Sequence, residues 1–213
     1  SDFIRAARVG GVLWDAVSRH GGLMPPTVRF AHIQGALPRD FVSSLVLPVG
    51  DERVANQVVA LAERGEDASD FDRRVGEDVE RAYGEHPRTQ IYENVHKQSA
   101  WAGLVVTQLM ERAECQVDCS AFLSRPSDGK FGEHVDLWYN LILQLCGVKR
   151  WFVRASKDVE PQVLYTLPGD VLAMSEGVWH RAETPEFHEE FGENDHSLHA
   201  QFAVILRDPL PPA

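Results

Sequence analysis

Two imidazoles and one carboxylate dominate the chemistry this sequence offers. His134 and Asp136 stand two apart in His134-Val135-Asp136. On a strand, residues two apart point to the same face, so both side chains can converge on one ion. His180 ends the run Gly177-Val178-Trp179-His180, which follows a turn and a strand-like segment, as a neighbouring barrel strand would. Two imidazoles and a carboxylate fill three positions of an octahedron and leave three open, a donor set that suits a non-haem Fe(II) centre. Zinc and manganese are the chemical rivals, because the same ligands suit them. A His-x-Asp pair alone is common by chance, and a histidine after an apolar run is more often structural. It is the combination, with the Pro168-Gly169 turn between Asp136 and His180, that carries the reading.

Ligands on different strands need a closed or double-sheet β core. Short strand-like runs alternate with turns from Cys115 onward: Gln116 to Ser124, His134 to Cys146, Arg150 to Arg154, Gln162 to Thr166, Asp170 to Met174, Val178 to Ala182 and Leu198 to Leu206. Leu167-Pro168-Gly169-Asp170 reads as a type II turn. Before this region, Thr89 to Val95 looks extended, and Ser99 can cap a helix through Arg112, with Trp101, Val105 and Leu109 on one face. The first ninety or so residues read mainly as helices. Val54, Val58 and Leu61 make one apolar stripe ending near Gly65; Phe71, Val75, Val79 and Tyr83 make another, stopping at Gly84. An amphipathic segment from Ile4 to Val17 is interrupted by Gly10-Gly11, while Pro25-Pro26 and Phe41 to Val49 look extended. The expected fold is an all-β core with helices, a jelly roll (double-stranded β-helix) with an N-terminal mainly helical layer. Its divisions are a helical region at 1–88 packed on the barrel, the barrel at 89–208 and a Pro-rich tail at 209–213, all in one compact domain.

The 213 residues, 44% hydrophobic and 25% charged, allow one substantial core. A net charge of -11 argues against a nucleic-acid backbone as partner, and no run approaches the ~18 apolar residues of a membrane span. The first residues lack the layout of a secretory signal. Cys115, Cys119 and Cys146 read as reduced thiols, since Cys115/Cys119 lack a second pair to complete a zinc site. A cytoplasmic setting is therefore expected.

Starting at His134 the chain reads HVDLWYNLILQLCGVKRWFV, and later LPGDVLAMSEGVWHRAETPE and SLHAQFAV. The H-x-D opening, the apolar strand, Gln144, Cys146-Gly147, Lys149 and Trp151, then the turn, strand and distal His180, resemble the cupin/JmjC-type oxygenases. The branch most resembled is that of the ribosomal-oxygenase-like hydroxylases. The resemblance covers about residues 89 to 206 and gives residues 1–88 no counterpart. It implies Fe(II), 2-oxoglutarate as cosubstrate and O2, with His134, Asp136 and His180 as metal ligands. Lys149 matches the cation that pairs the buried 5-carboxylate of 2-oxoglutarate. Asn140 matches a position that hydrogen-bonds the cosubstrate, and Ser120 and Ser124 lie on a strand that supplies it with polar groups. Phe122 departs from the tyrosine of many relatives. His199 and Gln201 share a face of the last strand; His199 is counted with the cosubstrate contacts. For Trp138, Tyr139, Trp151 and Trp179, barrel packing is the default.

The function this implies is Fe(II)/2-oxoglutarate-dependent dioxygenase chemistry, hydroxylating an amino acid, peptide or specialised metabolite. Two alternatives stand beside it: a metal-dependent cupin isomerase or lyase without 2-oxoglutarate, and a non-catalytic ligand-sensing cupin. The ribosomal relatives carry further regions after the barrel, whereas this sequence ends at Ala213, so a substrate other than ribosomal protein is expected. The acidic stretch Glu186 to Asp195 is read as a solvated loop or as a lid attracting a cationic group. Expected partners are a small-molecule, amino-acid or peptide substrate, with no nucleic acid and no membrane; a homodimer is compatible with this reading.

Overall fold

The computed structural model describes residues 1–24, 27–49, 58–62 and 71–206. Helix α1 (Asp2–Arg19) and helix α4 (Ala100–Ala113) pack together on one face of a large antiparallel sheet. That sheet holds eight strands in the order β1 (Phe30–Ile33), β9 (Val171–Met174), β6 (Tyr139–Cys146), β13 (Ser197–Ile205), β5 (Gln116–Ser124), β4 (Gln90–Tyr92), β2 (Val58–Ala62) and β3 (Phe71–Val75). Facing it is a small sheet of β10 (Trp179–Glu183), β7 (Lys149–Arg154) and β8 (Gln162–Thr166), and β11 (Phe187–His188) with β12 (Gly192–Glu193) forms a separate hairpin. Two facing antiparallel sheets make the expected double-stranded β-helix. Two short helices, α2 (Arg39–Val42) and α3 (Glu77–Glu85), and a 3-10 turn at Val95–Lys97 complete the elements among the described residues.

The strand period of two explains how one sequence serves two cores. On β6, Tyr139, Leu141, Leu143 and Leu145 face the helices, where they meet Val9 and Leu13 of α1 and Val105 and Leu109 of α4. The alternate residue Ile142 turns into the space between the sheets, against Trp151, Val153, Leu164, Leu172 and Met174. This strand is buried on both faces, which is why its sequence is a nearly unbroken apolar run. Ser99 caps α4 by accepting a hydrogen bond from the Ala102 N–H, and Trp101, Val105 and Leu109 are buried along one face, as the spacing predicts.

The N-terminal region differs from its expected helical character. It contributes β1, β2 and β3 to the large sheet, with β2 paired between β3 and β4. The apolar stripe read as a helix from Asp51 contains β2 instead, and its first part lies outside the described residues. The four-spaced stripe from Phe71 is shared by a strand and a helix, β3 up to Val75 and α3 beyond Gly76. Gly10 and Gly11 do not interrupt α1; the roughly 1 kcal/mol that a helical glycine costs is offset by packing, with Val9, Gly10 and Leu13 buried. Phe41 and Val42, the start of the stretch to Val49 read as extended, lie in helix α2 (Arg39–Val42), and Pro25-Pro26 lies outside the described residues. Cys115, Cys119 and Cys146 are free thiols. Among the described residues, no helix is long and apolar enough to cross a membrane.

The turn at Leu167 to Asp170 aims β9 back across the sheet. Gly169 has φ +97, Asp170 N–H returns to the Leu167 carbonyl at 2.9 Å, and a Cβ on Gly169 would lie 2.0 Å from the Leu37 carbonyl oxygen. Gly169→Ala should therefore lower stability by at least about 2 kcal/mol, from left-handed strain plus overlap with fixed backbone, read as a shifted urea midpoint at unchanged slope.

Candidate metal centre

His134 precedes β6, outside any named strand, and is held by a two-bond antiparallel bridge to His180 on β10. The His134 N–H donates to the His180 carbonyl at 3.0 Å, and the His180 N–H donates back at 2.9 Å. Paired residues project to one side. The two rings accordingly stand with centroids 4.4 Å apart. Asp136 is fixed two residues on, where its carbonyl accepts the Gly177 N–H at 3.1 Å.

The three side chains meet. The potential ligand atoms of His134, Asp136 and His180 all lie within 4.8 Å of one another. Asp136 Oδ1 is 3.8 Å from His134 Nε2, and Asp136 Oδ2 is 3.5 Å from His180 Nε2. These gaps are too long for hydrogen bonds, yet one ion with bonds of about 2.1 Å on each side can span them. Both histidines turn Nδ1 to a backbone carbonyl, His134 to Gly132 at 2.9 Å and His180 to Val178 at 3.0 Å. An Nδ1–H donated there leaves the Nε2 lone pair facing the cluster, the arrangement a metal-binding imidazole needs. Burial pushes His180 below the usual histidine range, which favours the neutral ring.

Asn140 is bonded to the carboxylate and is not among the residues of the cavity wall described below. Its Nδ2 donates to Asp136 Oδ2 at 2.6 Å, while its Oδ1 accepts from Trp138 Nε1 at 2.9 Å and Gln201 Nε2 at 2.8 Å. With its carbonyl oxygen accepting twice and one N–H committed to the carboxylate, Asn140 is placed to orient Asp136. Gln201 supports this arrangement from β13.

A cavity of about 300 Å³ opens beside the cluster, with His134, Asp136 and His180 in its wall and Lys149 at another point of it. Lys149 is 3% exposed. Its ammonium donates to the Ser124 hydroxyl and, at 3.2 Å, to the Thr184 hydroxyl; these two oxygens are 2.7 Å apart. Burial pushes Lys149 down to about 7, with Asp128 opposing the shift and Lys130 adding to it. Thr184 was not foreseen from the sequence, although it follows the last residue of β10 and lies four residues after His180. His199 is stacked on Phe122 at 4.8 Å in the wall, and both of its ring nitrogens are buried without a partner. Ser120 shares strand parity with Phe122 and Ser124 and stands opposite Gln201 of the wall, but is not itself among the wall residues. Trp138 and Trp151 line the cavity, whereas Tyr139 is fully buried on the helix side and Trp179 lies under Lys157 at 4.2 Å.

The acidic stretch is not a lid on this cavity. Its hairpin is tied elsewhere, through Asn194 to both backbone groups of Val148 and through Glu190 to Arg39, and no residue of Glu186 to Asp195 lines the wall.

Residues 90–199, just over half of the 213, match the JmjC domain family, and the chain belongs to it. Among solved structures it is similar to YcfD, a ribosomal oxygenase from Escherichia coli, in complex with cobalt and 2-oxoglutarate. That match has a TM-score of 0.61 at 16% identity, covering 92% of this chain and 52% of the other. YcfD with cobalt and succinic acid gives 0.60 at 15% identity, with the same coverage. A further crystal structure of YcfD gives 0.55 at 18% identity, covering 85% and 49%. The chain thus spans about half the length of the YcfD structures it matches, and at these identities the likeness establishes the fold. No curated protein sequence matches it.

The Asn140 bond to Asp136 generates a prediction. Asn140→Ala should weaken Fe(II) or Co(II) binding by about 10- to 100-fold, the usual effect of removing a group that orients a ligand, while far-ultraviolet circular dichroism stays unchanged. Unchanged metal affinity would separate Asn140 from the centre.

Proposed function

We propose that the chain is an Fe(II)- and 2-oxoglutarate-dependent oxygenase, acting as a hydroxylase, with its metal held by His134, Asp136 and His180. The observation that carries the reading is that one cavity holds both this donor cluster and a lysine sealed from solvent. Lys149 spends its hydrogen bonds on two neutral hydroxyls rather than on a carboxylate. A buried ammonium left in this way is costly, and an anion entering the cavity relieves it. The distal carboxylate of 2-oxoglutarate is such an anion, and the likeness to YcfD, solved with cobalt and 2-oxoglutarate, supports the same pairing of ligands here.

When bound, Fe(II) with 2-oxoglutarate and dioxygen supplies oxidation of an unactivated C–H bond, coupled to decarboxylation of the cosubstrate to succinate. The chain's own residues do the rest. His134 and His180 present Nε2 because their Nδ1 atoms are anchored on carbonyls, and Asn140 holds the Asp136 carboxylate. Lys149, Ser124 and Thr184 receive the far carboxylate with one positive charge and two hydroxyl groups. Phe122, Trp151 and His199 form a wall that restricts water around that carboxylate. A protein or peptide substrate belongs in the range beside amino acids and metabolites, because where this sequence stops does not bear on the substrate.

Lys149 provides the test. Removing one partner of a buried ion pair costs ~3–5 kcal/mol, so Lys149→Ala should weaken 2-oxoglutarate binding by about a hundredfold or more in anaerobic calorimetry. Metal affinity should stay near wild type, and Lys149→Arg should keep part of the binding. A wild-type protein with Fe(II) and no saturable 2-oxoglutarate binding would end the oxygenase reading.

The affinity should also depend on pH. With the free lysine near 7, binding is flat below pH 7, where the proton is already present. It should weaken as pH rises above 7, approaching tenfold per unit, because the neutral amine must then take up a proton to hold the anion. Affinity constant from pH 6 to 9 would contradict this.

A further inference from the structure

The small sheet has an outer face whose chemistry the site does not use. Strand parity sends Lys149, Trp151 and Val153 of β7 inward, so Arg150, Phe152 and Arg154 face out. The register sets Trp179, Arg181 and Glu183 of β10, and Val163 and Tyr165 of β8, beside them. Glu183 draws three cations: Lys130 at 2.7 Å, Arg150, and Arg181 at 3.9 Å. One buried carboxylate does not neutralise three cations, so the face keeps a surplus of positive charge. In a chain of net charge -11 this is a local reversal of sign. Arg150 and Arg181 both lie over the Phe152 ring, at 5.6 and 3.5 Å, and Lys157 lies over Trp179 at 4.2 Å. Stacking of this kind holds a cation in place while its N–H edge can still take a carboxylate.

The complement sits at the end of the same face. Three residues after Glu183 the chain enters the stretch Glu186 to Asp195, with five acidic residues. Its hairpin meets the face through His188, whose ring stands 4.9 Å from that of Tyr165, the residue in register with Arg150. Phe187 pairs with Glu193, so both stand on the side of the hairpin away from His188. Phe187 is 61% exposed, and Val163 on β8 is 48% exposed. Glu186, Glu189 and Glu193 are exposed as well. Among the described residues, no ion pair joins the acids of the hairpin to the cations of the face within one molecule. Glu190 is paired with Arg39 and Asp195 with His196, while the cations of the face converge on Glu183.

We infer that the outer face of the small sheet and its adjoining hairpin form a self-complementary docking surface for a second copy of this chain. A two-fold axis between the copies lays the glutamates of each hairpin on Arg150, Lys157 and Arg181 of the other, so every attraction occurs twice. Phe187 and Val163 add apolar surface to the same contact. The net charge of -11 repels the copies at a distance. At physiological salt that field is screened beyond about 8 Å, and pairs in contact lie inside this range. The strands so covered carry His180 and Lys149 on their other face, so pairing braces the sheet that holds both. None of the residues used is a proposed ligand of metal or cosubstrate, and the pairing does not depend on the oxygenase reading.

Sedimentation velocity on the full chain at physiological salt tests this through charge reversal. The wild type should be a dimer at about 50 µM, with a dissociation constant of about 10 µM or below. Lys157→Glu with Arg181→Glu reverses two cations of the face, and Glu189→Lys with Glu193→Lys reverses two acids of the hairpin. Each double variant alone sets like charges against one another and should dimerise at least about tenfold more weakly. Mixed in equal amounts, the two restore opposite charges at both ends of the contact, and a heterodimer should form with near wild-type affinity. Circular dichroism matching the wild type checks that the variants fold. If a reversed pair does not fold, Arg181→Gln and Glu189→Gln replace it, and each should loosen the wild-type dimer. A wild type that is monomeric at the stated concentration overturns the inference. So does a folded variant, reversed or neutralised, that dimerises as tightly as the wild type, or a mixture of folded reversed variants that stays monomeric. A monomeric wild type that binds N-acetylated hexaglutamate, and loses it on Arg181→Gln, overturns the second copy in favour of an acidic segment of another protein.

Discussion

The reciprocal backbone bonds between His134 and His180 are the constraint on which the site depends. A ligand set drawn from distant parts of a chain needs something stiffer than side-chain contacts to set its spacing, and a two-bond antiparallel bridge provides it. The bridge fixes His134, which lies outside a regular strand, to a residue that is itself in register with β7, where His180 opposes Val153. On β7, Lys149, Trp151 and Val153 are the buried residues, with Arg150, Phe152 and Arg154 between them. One small sheet thus carries a proposed metal ligand and the proposed anion anchor on its inner face, and the distance between them is set by strand geometry.

The polar groups that support this sheet divide into satisfied and unsatisfied sets. Gln144 bonds through Nε2 to the carbonyls of Cys146 and Gly147 and to the Ser197 hydroxyl, and its Oε1 accepts from Thr166, whose oxygen in turn accepts from Trp151. This closed network braces the turn at Gly147 immediately before Lys149. Gly147 itself has φ +61, and a Cβ there would stand 1.8 Å from the His196 carbonyl oxygen, so the turn admits no side chain. By contrast, Lys149 has no carboxylate on its hydrogen bonds and His199 has two unpartnered nitrogens. Completed networks rigidify a core, whereas a buried histidine without a partner in a cavity wall is a place where the fold gives up stability.

Much of the barrel was legible because its strands are short, bounded by Gly and Pro, and patterned with period two. Gln116 to Ser124 and Gln162 to Thr166 have the bounds read from the sequence, and the Pro168-Gly169 turn falls where its residues require. The N-terminal strands were hidden for a physical reason. Val58 and Leu61 also fit a helical spacing, and the four-residue spacing of Phe71, Val75, Val79 and Tyr83 runs across a strand–helix junction at Gly76. Pairing with β4 and β5 decides the matter, and such long-range contacts leave no local trace. At the site, residue type and strand parity pointed to His134 and Asp136, the place after a turn and a strand to His180, and the family resemblance to Lys149; none of them pointed to the hydrogen-bond partners of Asn140 or to Thr184. Those depend on which side chains meet across strands: Asn140 with Gln201, and Ser124 with Thr184.

The proposed single metal ion between the two bridged histidines and Asp136 is tested most directly by an anomalous-diffraction map. Crystals grown without oxygen in Fe(II) or Co(II) and 2-oxoglutarate should show one peak about 2.0–2.2 Å from the Nε2 atoms of His134 and His180, with an Asp136 oxygen completing the protein ligands. A peak away from His180, or no peak in the cavity at a metal concentration that saturates binding in solution, would contradict the account.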